Sequence, residues 1–239
     1  LKKKRSIIAL AIALVLFIYC ITTYKLMSSR TYQVAGELVS RVETSQKVVA
    51  LTFDDGPSGH TDDILKTLEQ ADVQATFFLI GTEIEKRPED VKKLLQAGHE
   101  IGNHTYHHNR MIFKSPSYLR DEVEKTDQLL RDAGVTGEIL FRPPNGKKLL
   151  YLPYYLSQHD RKTIMWNLEP DSLDEIASSA DQIVEYTLTN IQPGSIILLH
   201  AMYDSRAESL KAVQGIVSGL KAQGYQFKTV SELLQMQGK

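Results

Sequence analysis

The sequence predicts an α/β fold, a distorted (β/α) barrel of about seven strands, preceded by an N-terminal transmembrane helix. Three observations carry this. From Lys47 onward, β-branched and aromatic runs alternate with helical patterns about seven times without a sequence repeat, a pattern that implies a parallel sheet flanked by helices. The chemically capable residues fall at or just after the C-terminal ends of the expected strands: Asp54 and Asp55, Asn103 and His104, Arg142, Glu169 and His200. In an α/β barrel those ends converge on one face, so loops gathered there favour a closed or nearly closed barrel over an open sheet. Finally, a long charge-free stretch stands ahead of the alternating region.

That stretch is SIIALAIALVLFIYCITTY, Ser6 to Tyr24, preceded by the basic cluster LKKKR. At 1.5 Å per residue it spans roughly 28 Å, close to the hydrocarbon thickness of a bilayer. The basic flank favours a cytoplasmic N-terminus and an extracytoplasmic remainder. A single-pass anchor in the cell membrane is therefore expected, with secretion after signal-peptide cleavage as the alternative; no small-x-small site follows the apolar core cleanly. The expected division is a basic N-terminus and anchor over 1–24, a polar stalk over 25–46 and a catalytic domain over 47–239.

The 239 residues, 42 % hydrophobic and 24 % charged with a net charge of -1, suit one globular domain with a full core plus appendages. The absence of a basic bias argues against a nucleic-acid partner. The single cysteine, Cys20, excludes a disulfide framework and a cysteine-rich metal site. Tyr19 stands before it where lipid modification prefers a small residue.

Taken in order, KVVALTF and ATFFLI read as buried strands. Between them HTDDILKTLEQAD places Ile64, Leu65 and Leu68 at helical spacing, with Thr61 as N-cap. RPEDVKKLLQAGHEIGNH reads as a helix opened by Pro88 and closed by Gly98, then a short strand. The next helix is capped by Ser115, has Pro116 in its first turn and ends before Gly134. GEILFRPP, KTIMWNLEP, GSIILLHA and YQFKTV are further strands; SADQIVEYTLTNI, RAESLKAVQGIVSGLKAQG and TVSELLQMQ are helices.

NHTYHH supplies His104 and His108, four residues apart, which share a face if the segment forms a helical turn. With Asp55 they offer two nitrogens and one carboxylate oxygen, a set that suits a catalytic Zn²⁺-like site with an open position. Co²⁺ or Ni²⁺ fit the same ligands. Asp54 and Asp55 point in alternate directions if their strand continues, which leaves one free of the metal. Taken alone, DDGP also fits an ordinary aspartate-capped turn.

TFDDGP, HTYHH, FRPPNG and IILLH, in this order and at these intervals, resemble the polysaccharide deacetylases of the NodB homology type, over about Lys47 to Leu234. The resemblance implies a metal-dependent hydrolase in which Asp54 is the general base and Asp55, His104 and His108 hold a divalent metal. It implies that Arg142 orients Asp54, His200 is the general acid, Leu198 lines the acetyl pocket and the Asn145 backbone N–H is an oxyanion donor. Tyr151, in the aromatic cluster YLPYYL after the arginine loop, is a candidate for stacking on a sugar ring.

Two departures from the family pattern stand out. Asn145 replaces a usual aromatic residue. After Trp166, where the family carries an Asp-Trp pair that orients the acid histidine and shapes the acetate pocket, this chain aligns Ser172 and Leu173. Asp171, Asp174 or Glu169 are the nearby carboxylates able to replace the missing one. The expected substrate is an acetylated glycan: the N-acetyl groups of peptidoglycan N-acetylglucosamine or a chitin-like oligomer. A polysaccharide O-acetyl esterase and a catalytically weak glycan-binding envelope protein are the alternatives. Oligomeric state is not encoded in any motif.

Overall fold

Every strand ladder among the described residues is parallel. The computed structural model describes residues 2–238; Leu1 and Lys239, the outer ends of the expected first and last segments, lie outside the described residues. The chain begins with α1 (Lys2–Ser28), β1 (Leu38–Val39), β2 (Val48–Gly56), α2 (Thr61–Gln70), β3 (Thr76–Leu79), α3 (Gly81–Lys86), α4 (Pro88–Gln96) and β4 (Glu100–Asn103). It continues with α5 (Pro116–Asp132), α6 (Tyr151–Ser157), β5 (Thr163–Ile164), α7 (Ala180–Asn190), β6 (Ile196–Leu199), α8 (Ala207–Ala222), β7 (Gln226–Phe227) and α9 (Val230–Leu234).

The main sheet runs β4-β3-β2-β6, and β7 joins the start of β2. Single bridges complete the ring. Phe141 bridges Asn103 on one side and Thr163 on the other, and Leu168, further along the β5 run, bridges Ile197 of β6. The result is the expected distorted barrel. GEILFRPP contributes only the two bridges at Phe141, because Pro143 and Pro144 follow at once and have no N–H to continue a ladder.

Side-chain alternation sorts the core into two layers. Val49, Leu51 and Phe53 of β2, Phe77 and Leu79 of β3, and Ile197 and Leu199 of β6 face the surrounding helices. Val48, Ala50, Phe78, Ile196 and Leu198 face the other way and pack with Leu140, Ile164 and Trp166. The same period carries that inner row of β2 on through Thr52 to Asp54, and that of β6 on to His200. The apolar interior thus leads directly to polar residues at one mouth.

The stretch expected to be a stalk is packed onto the domain. β1 pairs with β5, and Val39 and Val42 enter the inner cluster. Val42 N–H donates to the Gly194 carbonyl at 2.9 Å. A Cβ at Gly194 (φ +77°) would lie 1.8 Å from the Val42 carbonyl oxygen, so only glycine admits this approach. The domain therefore begins well before Lys47, because burying these valines outweighs the polar character of their neighbours.

Helix ends follow the sequence signals with one exception. Ser115 accepts from Tyr118 N–H with Pro116 at the first position of α5, and Gly98 and Gly134 take positive φ just past α4 and α5. Thr61 is not an N-cap but the first residue of α2, after His60. Its buried hydroxyl instead exchanges hydrogen bonds with the Ser58 backbone, fixing the turn that leaves β2. YLPYYL, which carries no strand or helix expectation, folds as α6 and packs Leu152, Tyr155 and Leu156 with Phe141 and Leu119. Helix α1 is long and apolar enough to cross a membrane, with a mean hydropathy of 2.5 over its best window.

Candidate active site and metal centre

The two aspartates do not alternate. In the β2–β3 ladder Asp54 pairs with Phe78 and Gly56 with Leu79, so Asp55 is an inserted residue, with φ +76°. This bulge turns both carboxylates the same way: Asp54 Oδ2 and Asp55 Oδ1 each lie 3.5 Å from His104 Nε2. Left-handed backbone at a non-glycine residue costs of order 1–3 kcal/mol, and it recurs around this site at Thr105, His108 and Asn145.

The histidines are not on a helical turn either. They belong to the loop leaving β4, where Thr105 (φ +68°) and His108 (φ +58°) fold the chain back and leave the two rings 4.9 Å apart. Buried Asn103 pins the loop, accepting from Thr105 N–H at 2.8 Å and donating to Val123 O and Asp127 Oδ1 on α5. His107, for which the sequence suggests no role, is the second pin. Its backbone N–H donates to Glu122 at 2.9 Å and its ring Nδ1 lies 2.5 Å from the other Glu122 oxygen.

Asp55, His104 and His108 converge as expected. His108 Nε2 is 3.0 Å from Asp55 Oδ1, and one ligand atom from each residue lies within 4.8 Å of the others. His104 Nδ1 is 2.7 Å from the Arg142 carbonyl, which requires the proton there and leaves Nε2 to face the carboxylates; burial lowers the His104 pKa, but Asp54 and Asp55 outweigh it and raise it. Asp55 Oδ1 is buried without an aligned hydrogen bond. An orphaned buried anion facing two imidazole nitrogens fits a divalent cation. Burial raises the Asp55 carboxyl, but His104 and His108 outweigh it and hold the group well below the usual carboxylate range.

Asp54 is held from behind. Arg142, fully buried, donates to Asp54 Oδ1 at 2.7 Å and to Thr52 Oγ1 at 2.8 Å. Its other nitrogens donate to the Ile164 and Met165 carbonyls, and its guanidinium stacks 4.0 Å over Phe78. A buried guanidinium so fully satisfied holds the Asp54 carboxylate in one orientation.

His200 has a carboxylate partner, and of the three available it is Asp171. His200 N–H donates to Asp171 Oδ2 at 2.6 Å and its Nδ1 lies 3.3 Å from Oδ1. Ser209 and Arg206 fasten Asp171 in turn, through its carboxylate and its carbonyl. Burial lowers the His200 pKa, but Asp171 more than compensates and pushes it up to about 9. Glu169 is engaged elsewhere: it accepts from Trp166 Nε1 at 2.7 Å and pairs with Arg30 at 2.5 Å.

Asp54, Asp55, His104, His108, Asn145 and His200 line one cavity of about 340 Å³, together with Trp166, Tyr203, Arg206 and Arg30. Asn145 (φ +52°) enters from the arginine loop, its side-chain oxygen 3.4 Å from Arg110 Nε. Leu198 is fully buried two residues below His200 and is not on the cavity wall. Tyr151 stacks on Tyr155 at the start of α6, also off the wall. Sequence reasoning missed Arg30, hidden in a polar stretch with no periodicity, and Tyr203 and Arg206, which follow the last histidine motif.

A family profile described as Polysaccharide deacetylase matches residues 41–164. A peptidoglycan-N-acetylglucosamine deacetylase of Bacillus cereus is 34 % identical over 201 residues, covering 84 % of this chain and 94 % of that one. The peptidoglycan-N-acetylmuramic acid deacetylase PdaA of Bacillus subtilis is 29 % identical, covering 80 % and 73 %. Among solved structures, the Bc1960 peptidoglycan N-acetylglucosamine deacetylase superposes with a TM-score of 0.77 at 33 % identity, over 84 % of this chain and 94 % of that one. BA3943, a pseudoenzyme of the same CE4 family from Bacillus anthracis, superposes with a TM-score of 0.74 at 28 % identity, over 83 % and 69 %. The chain belongs to the polysaccharide deacetylase family, a metal-dependent family, and its peptidoglycan deacetylase relatives are hydrolases acting on amide bonds.

Proposed function

We propose that this protein is a metal-dependent hydrolase that removes N-acetyl groups from peptidoglycan, anchored in the cell membrane by Ser6–Tyr24 with its barrel on the outer side. The observation that carries the reading is the division of labour among the acids. Asp55 faces both imidazoles, whereas Asp54 is paired to Arg142 and left with an oxygen toward the same cavity as His200.

Asp55, His104 and His108 would hold the cation, and Zn²⁺ suits two imidazoles and a carboxylate best. When bound, such an ion polarises the acetyl carbonyl and lowers the pKa of water. Asp54 accepts the proton of the attacking water, its Arg142 partner holding it in orientation. The backbone N–H of Asn145 donates to the developing oxyanion. His200, protonated at neutral pH because Asp171 raises its pKa to about 9, gives a proton to the departing amine nitrogen. Trp166, Tyr203 and Arg206 enclose the glycan on the remaining sides.

N-deacetylation is favoured over ester cleavage by the acid. An amine leaves only after protonation, whereas an alkoxide departs more readily, and this chain maintains a strongly basic, carboxylate-paired imidazole. The same pair speaks against a binding-only role, which needs neither a positioned acid nor a free base. The test is acetate release from acetylated peptidoglycan by the purified full chain, run beside a tetramer of N-acetylglucosamine and acetylxylan. Release from peptidoglycan is expected to lead; glycan binding with no acetate from any of the three would overturn the enzyme reading.

A further inference from the structure

The segment that leaves the apolar helix is built into the cavity. Helix α1 ends at Ser28, and two residues later Arg30 lies on the cavity wall. Its guanidinium sits 4.6 Å over the Trp166 ring, and it donates to Glu169 Oε2 at 2.5 Å. That same oxygen accepts from Trp166 Nε1 at 2.7 Å. Arg30, Glu169 and Trp166 thus form a closed set in which each touches the other two. Trp166 follows the β5 run, and Arg142 stacks on its ring at 5.5 Å, so the set reaches the arginine that orients Asp54.

A second, independent contact holds the segment there. Lys148, in the arginine loop, is only 1 % exposed. Its backbone N–H donates to Met27 O at 3.2 Å and its ammonium to Ser29 O, both carbonyls at the open end of α1. Lys147 donates to Ser28 Oγ at 2.6 Å and lies 5.0 Å over the Tyr24 ring. A buried ammonium is costly without acceptors, and cations are favoured at a helix C-terminus. Without residues 27–29 that lysine would lose the acceptor it is buried against.

We propose that Met27–Arg30 is a working wall of the glycan site, and that Arg30 is a positioning residue for Trp166 and Glu169. The inference rests on the deacetylase reading for its substrate but not for its geometry. It makes the chain that keeps its α1 end the competent form: cleavage after Arg30 would remove a wall residue together with the anchor, and cleavage between Met27 and Arg30 would remove acceptors that hold the segment in place. It also holds the cavity within about 15 Å of chain from the end of the apolar stretch, counting four helical and two extended residues. The enzyme would then act on glycan lying against the membrane surface.

Trp166 is the chain's only tryptophan, so its fluorescence reports this wall directly. In the full chain in detergent, Arg30→Ala is expected to shift the emission of Trp166. It should raise KM for a tetramer of N-acetylglucosamine about tenfold while kcat changes less, as loss of a charged hydrogen bond in the wall implies. Arg30→Lys should not restore the emission, because an ammonium cannot both stack and fork. Unchanged emission, or shifted emission with unchanged KM, would overturn the proposal. If the wild-type chain releases no acetate, the deacetylase reading fails alone. Tetramer binding followed by Trp166 quenching then decides the wall: weaker binding by Arg30→Ala supports it, equal binding overturns it.

Discussion

The two halves of the cavity are built differently. On the metal side, every chemically active residue comes from a motif whose spacing is visible in the sequence, and the geometry is held by strained backbone: the bulge at Asp55 and the left-handed turns at Thr105 and His108. On the acid side, the histidine is where the motif puts it, but its carboxylate comes from Asp171, outside the family's aligned position; Ser209 donates to that carboxylate and Arg206 to the Asp171 backbone carbonyl. The contrast teaches that a general acid needs a carboxylate at the right place in space, which more than one position in a 3₁₀ turn can supply. A metal site built on a bulge has no such latitude, because moving a ligand by one residue turns it to another face.

The largest expected effect breaks the metal half. Asp54→Asn should lower kcat by about 10²–10⁴-fold, the usual contribution of a positioned base, while the three ligands stay in place. Metal content equal to wild type with activity lost would place Asp54 as the base; equal loss of both would place it among the ligands.

The next effect sharpens the acid half. With Asp171→Asn, the His200 pKa should fall from about 9 toward the ordinary histidine value near 6.5. The proposed acid role requires a protonated His200, so the alkaline limb of the kcat–pH profile should move to lower pH by a comparable amount. Stability carries the same sign. A histidine whose folded pKa is raised contributes stability that is present below about 6.5 and lost as pH rises through about 9, and the variant should lack that slope in denaturation experiments. An alkaline limb that does not move would show that Asp171 does not tune the acid.

A smaller effect separates ligand from scaffold. Glu122→Gln removes the charge that pins His107, loosening the loop that carries His108. Metal affinity should fall by about tenfold, the lower range for groups that orient ligands, and titration with a chromophoric chelator reads it. Smallest of all, Ser115→Ala deletes the cap of α5 and should cost about 1 kcal/mol in denaturant unfolding with kcat unchanged.

Much of this was legible in the sequence. The strands with strong β-branched and aromatic runs, Val48–Phe53, Thr76–Leu79 and Ile196–Leu199, appear where the pattern puts them. Caps with a definite stereochemical signal, Ser115, Gly98 and Gly134, appear too. The convergence of Asp55, His104 and His108, the proposed ligands, was legible because their types and spacing are restrictive. The means of convergence was not: periodicity describes regular structure, and Asp55 and His108 meet only because the backbone departs from it. Residues 38–42 were misjudged because four or five residues are too few to show a pattern, yet two valines suffice to join a core. Arg30 and Asp171 act through contacts 139 and 29 residues away in the chain, and nothing local marks such partners.

The central claim is that one dication, gripped by Asp55, His104 and His108, makes this cavity a deacetylase. Its most direct test is acetate release from acetylated peptidoglycan before chelation, after chelation and after return of Zn²⁺, with bound metal counted in each sample. The account predicts activity that vanishes with about one ion per chain and returns with it. Acetate release that persists in metal-free protein, or a fully reloaded chain that releases none, would contradict it.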